Sequence, residues 1–309
     1  VIRYREGFAF EYLLLGKLRR YLSWRNFVDP IFIIGGGIKG FIKLLIFRPH
    51  VIVSAGSFVS VPVAYMSWLL RIPHVILQMD VRPGLANRLM GPVSHALITY
   101  FEKTANHFPK ILLKRNIGPV VRQEIIKANA DRANERFGLD SAMPLILITG
   151  GGQGACGLNN AVMPSLKHWL INFQVVHLTG IEWGKDLKLE YSDFSHHHYH
   201  RLESVHQGMG DLLAKSEIVF TRAGMGIIGA LAVLKKDSVL TPLPGTHHEV
   251  NALILQQNNA AVYVSQVHLE AEGTKKSSIT VAEGEKQAAI HTAEGGHEAE
   301  TLSAGGGRP

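Results

Sequence analysis

The chain has 309 residues, 46% of them apolar and 18% charged, one cysteine and a formal net charge of +7. That composition excludes a disordered chain and leaves room for two domains with cores of their own. A lone Cys156 excludes an intrachain disulfide framework and fits a reducing compartment.

The excess charge sits at the start, where residues 1–50 hold nine Lys and Arg against three acids. Such an end suits an anionic partner, a nucleic acid or an anionic membrane surface. The chain opens on Val1 with no initiator Met and no apolar leader, which suggests a piece of a longer protein. Tyr12–Trp24 and Phe41–Arg48 mix bases with large apolar and aromatic residues. Each reads either as a segment lying in a membrane interface or as a core helix with snorkelling bases.

Val51–Leu70 carries no charge over 20 positions, the length of a membrane span, but Ser54, Gly56, Ser57, Ser60 and Pro62 interrupt it. We read strand, loop, helix: a strand at His50–Ser54 and a helix at Pro62–Leu70. Strands follow at Pro73–Leu77, Ala96–Tyr100 and Ile111–Leu113. A polar, Ala-rich break covers 128–143. A second series then runs through a strand at Pro144–Thr149, a helix at Leu158–Leu170 and strands at Phe173–Leu178, Ile218–Phe220 and Ser238–Pro242. Strands separated by helix-length segments predict parallel βαβ units, and two series predict two doubly wound α/β domains. The expected organisation is a first domain over 1–127, a linker over 128–143, a second domain over 144–266 and a tail over 267–309. In the tail Ala-Glu-Gly recurs at 271–273, 282–284 and 293–295, an 11-residue period suited to a long helix able to self-associate.

Ligands in doubly wound sheets sit at the carboxyl ends of the strands, so the loops there carry the argument. Thr149-Gly-Gly-Gly-Gln-Gly-Ala155 joins an apolar strand to a helix. It reads as a phosphate cradle of backbone N–H groups at a helix N-terminus, or as a tight turn without ligand. Arg222-Ala-Gly-Met-Gly226 and Gly245-Thr-His-His-Glu-Val-Asn251 are further turns in the same series. Each alone is compatible with an ordinary loop, whereas three on one sheet edge suit a nucleotide diphosphate. The sequence lacks the Asp-x-Asp pair on which many sugar transferases hold a divalent ion, so no metal is expected. His196-His-His-Tyr-His200 reads as a solvated loop rather than a metal cluster, because sequence neighbours rarely converge on one ion. No G-x-x-x-x-G-K-[ST] loop is present, which argues against an NTPase.

Leu147-Ile-Thr-Gly-Gly-Gly-Gln-Gly-Ala155 with Leu158-Asn159 resembles the G-G-S-Q-G-A-x-x-L-N loop of the MurG glycosyltransferases. Thr221-Arg-Ala-Gly224 resembles their S-R-A-G turn. Leu243-Pro244 with His247 and Asn251-Ala252 resembles P-L-P…H-Q-x-x-N-A. In the first domain, Gly56-Ser-Phe-Val-Ser-Val-Pro62 is similar to G-G-Y-V-S-G-P, Pro83-Gly-Leu-Ala-Asn-Arg88 to P-G-x-x-N-R and Gly118-Pro-Val-Val-Arg122 to G-N-P-V-R.

The resemblance implies a GT-B fold of two Rossmann-like domains facing a cleft. It implies inverting, metal-independent transfer of N-acetylglucosamine from UDP-N-acetylglucosamine to a lipid-linked muramyl-peptide, with no cofactor and no nucleic acid. The enzyme would act at the cytoplasmic side of the cell membrane as a peripheral protein. The implied donor set is Gly151, Gly152, Gln153, Gly154, Ala155, His206, Arg222, Gly224, His248, Asn251 and Arg122. The implied acceptor set is Gly56, Ser57, Ser60, Asp80 and Asn87.

Several positions depart from the family. Its G-G-T-G-G-H loop, whose His is a candidate base, lies before Val1, and its H-E-Q-N stretch reads Leu77-Gln78-Met79-Asp80. This leaves the catalytic group unassigned, with Gln78 and Asp80 at the acidic stretch. The acid that would grip the ribose is Ala230, the Gln after the motif His is His248, and the glycine-loop Ser is Gly152. The tail is similar to the repeat of stomatin-like, band 7 proteins. These departures imply impaired transfer. They leave open a nucleotide-sugar-binding protein without turnover and a tail-driven oligomeric scaffold.

Overall fold

A computed structural model describes residues 25–111, 113–152, 154–180, 198–265, 267–269, 271, 272 and 275, with only the backbone given for 25–34. The chain divides into two compact units, Val1–Val120 and Val121–Pro309.

The first unit is a four-stranded parallel sheet in the order β1-β2-β3-β4, formed by β1 (Ile52–Ser54), β2 (His74–Gln78), β3 (Ala96–Thr99) and β4 (Leu113–Asn116). Around it lie α1 (Arg25–Phe47), α2 (Ser60–Leu69) and α3 (Leu85–Met90). The uncharged stretch Val51–Leu70 does resolve into strand, turn and helix. Gly56 and Ser57 both take positive φ, +94° and +93°, which no helix tolerates, and α2 starts only after them. Ala64, Ile76, Met90, Leu97, Phe108 and Ile111 form the core. His74 is buried in it, bridged from Nε2 to the Ser54 hydroxyl at 2.9 Å and from Nδ1 to that of Ser94 at 2.7 Å, and burial lowers its pKa. In α1, Leu44 turns inward while Ile38, Ile42, Ile46 and Phe47 are exposed, so the core-helix reading of Phe41–Arg48 does not describe this face. Among the described residues no helix is long and apolar enough to cross a membrane.

The second unit holds β5 (Leu145–Thr149), β6 (Gln174–Leu178), β7 (Tyr199–Leu202), β8 (Ser216–Thr221), β9 (Asp237–Leu240) and β10 (Val262–Tyr263), all parallel. Their order is β10-β9-β8-β5-β6-β7. Strand order reverses at β5: the chain first builds outward through β6 and β7, then returns to add β8, β9 and β10 on the other side. That is the doubly wound arrangement, and its switch point lies between β5 and β8. Every residue of β5 is buried, as a central strand covered on both faces requires. The helices are α4 (Gln123–Ile126), α5 (Ala130–Phe137), α6 (Cys156–Trp169), α7 (Met209–Lys215), α8 (Met225–Leu234) and α9 (His247–Gln257).

Residues 128–143, expected as a linker, carry α5. Asn129 caps it by accepting from Asp131 N and Arg132 N. Arg132 ties it to α7 by a two-pronged contact with the buried Asp211, Nε to Oδ2 at 3.2 Å and a terminal guanidinium nitrogen to Oδ1 at 2.7 Å. These contacts hold the Asp211 carboxyl below the usual carboxylate range, the Arg132 hydrogen bond first among the causes.

The histidine-rich stretch departs from the loop expected for it. His198 onward is described, and Tyr199–Leu202 forms β7, whose Tyr199 packs on the core. Residues 181–197 lie outside the described residues, as does most of the 11-residue repeat.

Candidate functional site

The switch point of the second sheet is where β5 and β8 run side by side, Thr149 registered with Thr221. Each strand leads straight into a helix, β5 through Gly150–Ala155 into α6 and β8 through Arg222–Gly224 into α8. The N-cap residues are Ala155 and Gly224, neither of which offers a side chain to the first-turn amides. Two helix N-termini therefore end together with donors uncapped by their own sequence, which favours an anion between them.

Two glycines of the first loop, Gly150 and Gly154, are there for space. A Cβ on Gly150 would collide with Ala155 and come within 2.7 Å of the Gly154 carbonyl carbon. One on Gly154 would strike the Thr179 carbonyl oxygen and lie 2.8 Å from Gly180 Cα, and Gly154 has φ +81°. Gly151 has φ +88°, and its N–H donates to Thr149 Oγ1 at 3.3 Å, while Gly154 N–H donates to Gly151 O at 2.9 Å. The loop is a closed turn pressed on the end of β6. Gly152 has open space around its Cα. Gln153 lies outside the described residues.

Arg222 joins the two turns. Its guanidinium donates to the Gly150 carbonyl oxygen, and its Nε, buried, has no partner. Burial lowers its pKa, leaving a half-dried cation beside two positive helix ends. Such a cation is complemented by a ligand anion. Asn251, fully buried on α9, donates from Nδ2 to the Ala223 carbonyl at 3.1 Å and fixes the second turn. The His248 ring lies alongside Gly224, about where a Cβ on that glycine would touch it at 3.8 Å. Thr246 caps α9 by accepting from His248 N at 3.3 Å.

Seven of the eleven expected donor residues thus meet at one place: Gly151, Gly154, Ala155, Arg222, Gly224, His248 and Asn251, with Gly152 on the same loop. His206 is exposed in the turn after the edge strand β7, and Arg122 is the N-cap of α4, exposed and paired with Glu124 at 3.0 Å. Ala230 is buried within α8. Among the described residues no cluster of His, Cys, Asp or Glu has metal-holding geometry.

In the first unit the expected acceptor residues also share a place. Asn87 is buried on α3 and its Nδ2 donates to Gln78 Oε1 at 2.5 Å. Gln78, at the end of β2, donates in turn from Nε2 to the Asp80 carbonyl at 2.7 Å. The Asn87 Oδ1 has no partner and faces Gly56, where a Cβ would lie 3.3 Å from it. Ser60 Oγ donates to Gly56 O at 3.0 Å, and Ser60 N–H donates to Ser57 O at 3.1 Å, closing the turn after β1. Gln78 is therefore a neutral clamp on Asn87. Sequence reasoning marked it only as a departure. The sequence gives no sign of the partners of Asn159, His177 and the Thr179 carbonyl, whose bonds are made across elements and leave no local signal.

Two parallel-sheet, Rossmann-like units, the second doubly wound with a glycine-lined turn at its switch point, define a protein of GT-B fold. Residues 2–98 match the glycosyltransferase family 28 N-terminal domain and residues 145–300 its C-terminal domain. The chain belongs to glycosyltransferase family 28.

Among its relatives, a Bacillus cereus protein named UDP-N-acetylglucosamine--N-acetylmuramyl-(pentapeptide) pyrophosphoryl-undecaprenol N-acetylglucosamine transferase 2 is 34% identical over 239 residues, 77% of this chain and 66% of that protein. A Geobacillus thermodenitrificans transferase of the same name, without the number, is 31% identical over 274 residues, 88% of this chain and 75% of its own length. The chain thus spans about two thirds of the Bacillus cereus relative, 66%. In structure it is similar to Acinetobacter baumannii MurG, with TM-score 0.58 and 21% identity over 81% of this chain and 70% of that one. It is similar also to a Neisseria meningitidis UDP-GlcNAc 2-epimerase bound to UDP-GlcNAc, with TM-score 0.58 and 15% identity over 84% of this chain and 75% of that one.

Proposed function

We propose that the chain is a UDP-N-acetylglucosamine-dependent glycosyltransferase acting on a lipid-linked muramyl-peptide in peptidoglycan synthesis. The observation that carries this is the pair of uncapped helix N-termini joined by Arg222 at the switch point. The diphosphate of the donor lies against the Gly150–Ala155 loop and the N-terminus of α8, with Arg222 as its counter-cation. In the reaction the acceptor hydroxyl oxygen attacks the anomeric carbon from the face opposite the diphosphate. The bond to the UDP oxygen breaks, and the hydroxyl proton passes to a general base. Negative charge then grows on the UDP oxygen, where amides and helix dipoles that need no reorganisation stabilise it.

The first unit supplies the acceptor side in this reading, through the Gly56–Ser60 turn and Asn87. Its placement at an anionic cytoplasmic membrane face is supported by exposed Ile38, Ile42, Ile46 and Phe47 interleaved with Lys39 and Lys43 on α1, and by exposed Trp68 and Leu69 on α2. Titration calorimetry with UDP and with UDP-N-acetylglucosamine tests the donor site; no heat at millimolar nucleotide sinks it. Release of UDP dependent on a lipid-linked muramyl-peptide tests the reaction. Sedimentation with anionic vesicles, weakened by salt, tests the membrane placement.

A further inference from the structure

Behind the glycine loop lies a buried polar chain that the proposed reaction does not use directly. Tyr199 on β7, His177 on β6 and Asn159 on α6 are linked in series. His177 Nδ1 is 3.1 Å from the Tyr199 hydroxyl, and His177 Nε2 is 3.1 Å from Asn159 Oδ1. Asn159 Nδ2 donates to the Thr179 carbonyl oxygen at 2.9 Å. His177, Asn159 and Thr179 are fully buried.

Only one arrangement of hydrogens satisfies this chain. A carbonyl oxygen only accepts, so Asn159 turns its NH2 to Thr179 and its oxygen to His177. That oxygen also only accepts, so His177 carries its hydrogen on Nε2. A neutral ring then has a bare Nδ1, and Tyr199 donates to it. Burial fits this neutral state: it drives His177 down to about 3, with Arg201 adding to the effect, and Tyr199 up to about 12 against the opposing pull of Arg201. All donors point the same way, from Tyr199 toward the Thr179 carbonyl, so each bond polarises the next.

The last acceptor is the one that matters. The Thr179 carbonyl is the surface on which Gly154 rests, with no room for even a methyl group between them. Asn159 also sits in the first turn of α6, the helix whose N-terminus closes the loop, and its N–H donates to Ala155 O at 2.9 Å. We infer that Tyr199, His177 and Asn159 are positioning residues for nucleotide binding: they hold the Thr179 carbonyl and the start of α6 in register, and so set the height of the glycine loop. This rests on the donor site proposed above.

The test uses the full chain. Asn159→Asp keeps the shape but replaces the NH2 by an oxygen that opposes the Thr179 carbonyl. His177→Phe keeps a ring without polar atoms. His177→Gln restores a donor toward Asn159 and an acceptor toward Tyr199. UDP affinity should fall about tenfold or more in Asn159→Asp and His177→Phe, as for a lost charged or buried hydrogen bond, and return to within about threefold in His177→Gln. Amide exchange over Gly151–Ala155 should accelerate in the first two while β8 and β9 keep their protection. In the unmodified chain, imidazole nitrogen resonances should show the Nε2–H form, unchanged between pH 5 and 8, a readout that needs no variant to fold. Unchanged UDP affinity and loop exchange in Asn159→Asp overturns the inference, as does a His177 that titrates near its ordinary value. Absence of UDP binding to the unmodified chain, with loop exchange still responding to Asn159→Asp, overturns the donor-site reading instead.

Discussion

Replacing Gly154 by alanine tests whether the glycine loop is shaped by its backing or by its ligand. The new methyl carbon would lie 2.8 Å from Gly180 Cα and closer still to the Thr179 carbonyl oxygen, in a residue with φ +81°. Carbon atoms at rest sit about 3.5–4.0 Å apart, so loop and β6 end must separate by about 1 Å. Left-handed backbone costs about 1–2 kcal/mol for an L-residue, and overpacking about 1–3 kcal/mol more. The sum, about 2–5 kcal/mol, should lower the midpoint of thermal unfolding by roughly 5–15 °C in a domain of this size. A shift of about 1 Å at a site that positions reacting groups costs about 10²-fold in rate, so UDP affinity and sugar transfer should both fall steeply. Gly152→Ala is the control for stability. Nothing lies within 4 Å of its would-be Cβ, and a surface change of that kind stays within about 0.5 kcal/mol. Calorimetry with UDP on Gly154→Ala and the unmodified chain, and scanning fluorimetry on both variants, decide the matter. Wild-type UDP affinity in Gly154→Ala would refute the claim that the Thr179 carbonyl sets the loop.

Three other changes follow from the same geometry. Arg222→Ala should weaken UDP binding by about 1.5–3 kcal/mol, the range for a hydrogen bond to a charged group, and Arg222→Lys should restore only part of it, because a point charge cannot both hold the Gly150 carbonyl and reach a phosphate; equal UDP affinity across the three proteins contradicts the assignment. Gln78→Glu sets a carboxylate against the Asp80 carbonyl that Gln78 now donates to, and should cost about 1–3 kcal/mol near pH 7, recovering in acid as the group protonates, measured by urea unfolding at two pH values. His177 gives stability a specific pH slope: its folded pKa of about 3 lies below the unfolded value of 6.5, so its contribution is complete above pH 6.5 and is lost as pH falls toward 3, at about 1.4 kcal/mol per unit. Between pH 6.5 and 5 the chain should lose about 2 kcal/mol more than His177→Gln does; identical slopes would contradict a neutral buried ring.

Where one face or both faces of an element are buried, the sequence announced it. The runs Pro144–Thr149 and Phe173–Leu178 became β5 and β6 to within a residue, because a central parallel strand must be apolar throughout. The first glycine turn was legible because close approach at Gly150 and Gly154 leaves glycine alone as a solution. Short or edge elements were not legible. β10 has two residues, and β7 begins inside a histidine run whose polarity reads as loop; it is a strand because Tyr199–Leu202 pairs with β6 and Tyr199 packs on the core, a tertiary choice. The Asn159–His177–Tyr199 chain and the Gln78–Asn87 clamp were invisible for a different reason. Their partners are 9–22 residues apart along the chain, and nothing in the local pattern says which polar side chains will meet in a core. The expected linker over 128–143 shows the same limit, since contacts such as those of Arg132 and the Asn129 N–H with Asp211, 79 and 82 residues apart, are what reveal where α5 is docked.

The departures from the family's motifs fall unevenly on the two kinds of recognition this fold uses. The proposed diphosphate cradle is made of backbone amides, two helix ends and one guanidinium. Its glycine-loop Ser can become Gly152 without removing a main-chain donor, since every non-proline residue supplies an equivalent N–H. Ribose and acceptor recognition depend instead on side-chain oxygens. Ala230, buried in α8, has none to offer a ribose hydroxyl, and no neighbouring amide can stand in for a charged acceptor. Gln78 keeps an oxygen, but spends it on Asn87 and donates its NH2 to the Asp80 carbonyl, so it has no lone acid proton to give or take. The proposed function then predicts a separation within one fold: anion binding at the switch point would rest on the backbone and tolerate these substitutions, while the choice of nucleoside and the handling of the acceptor would be weakened.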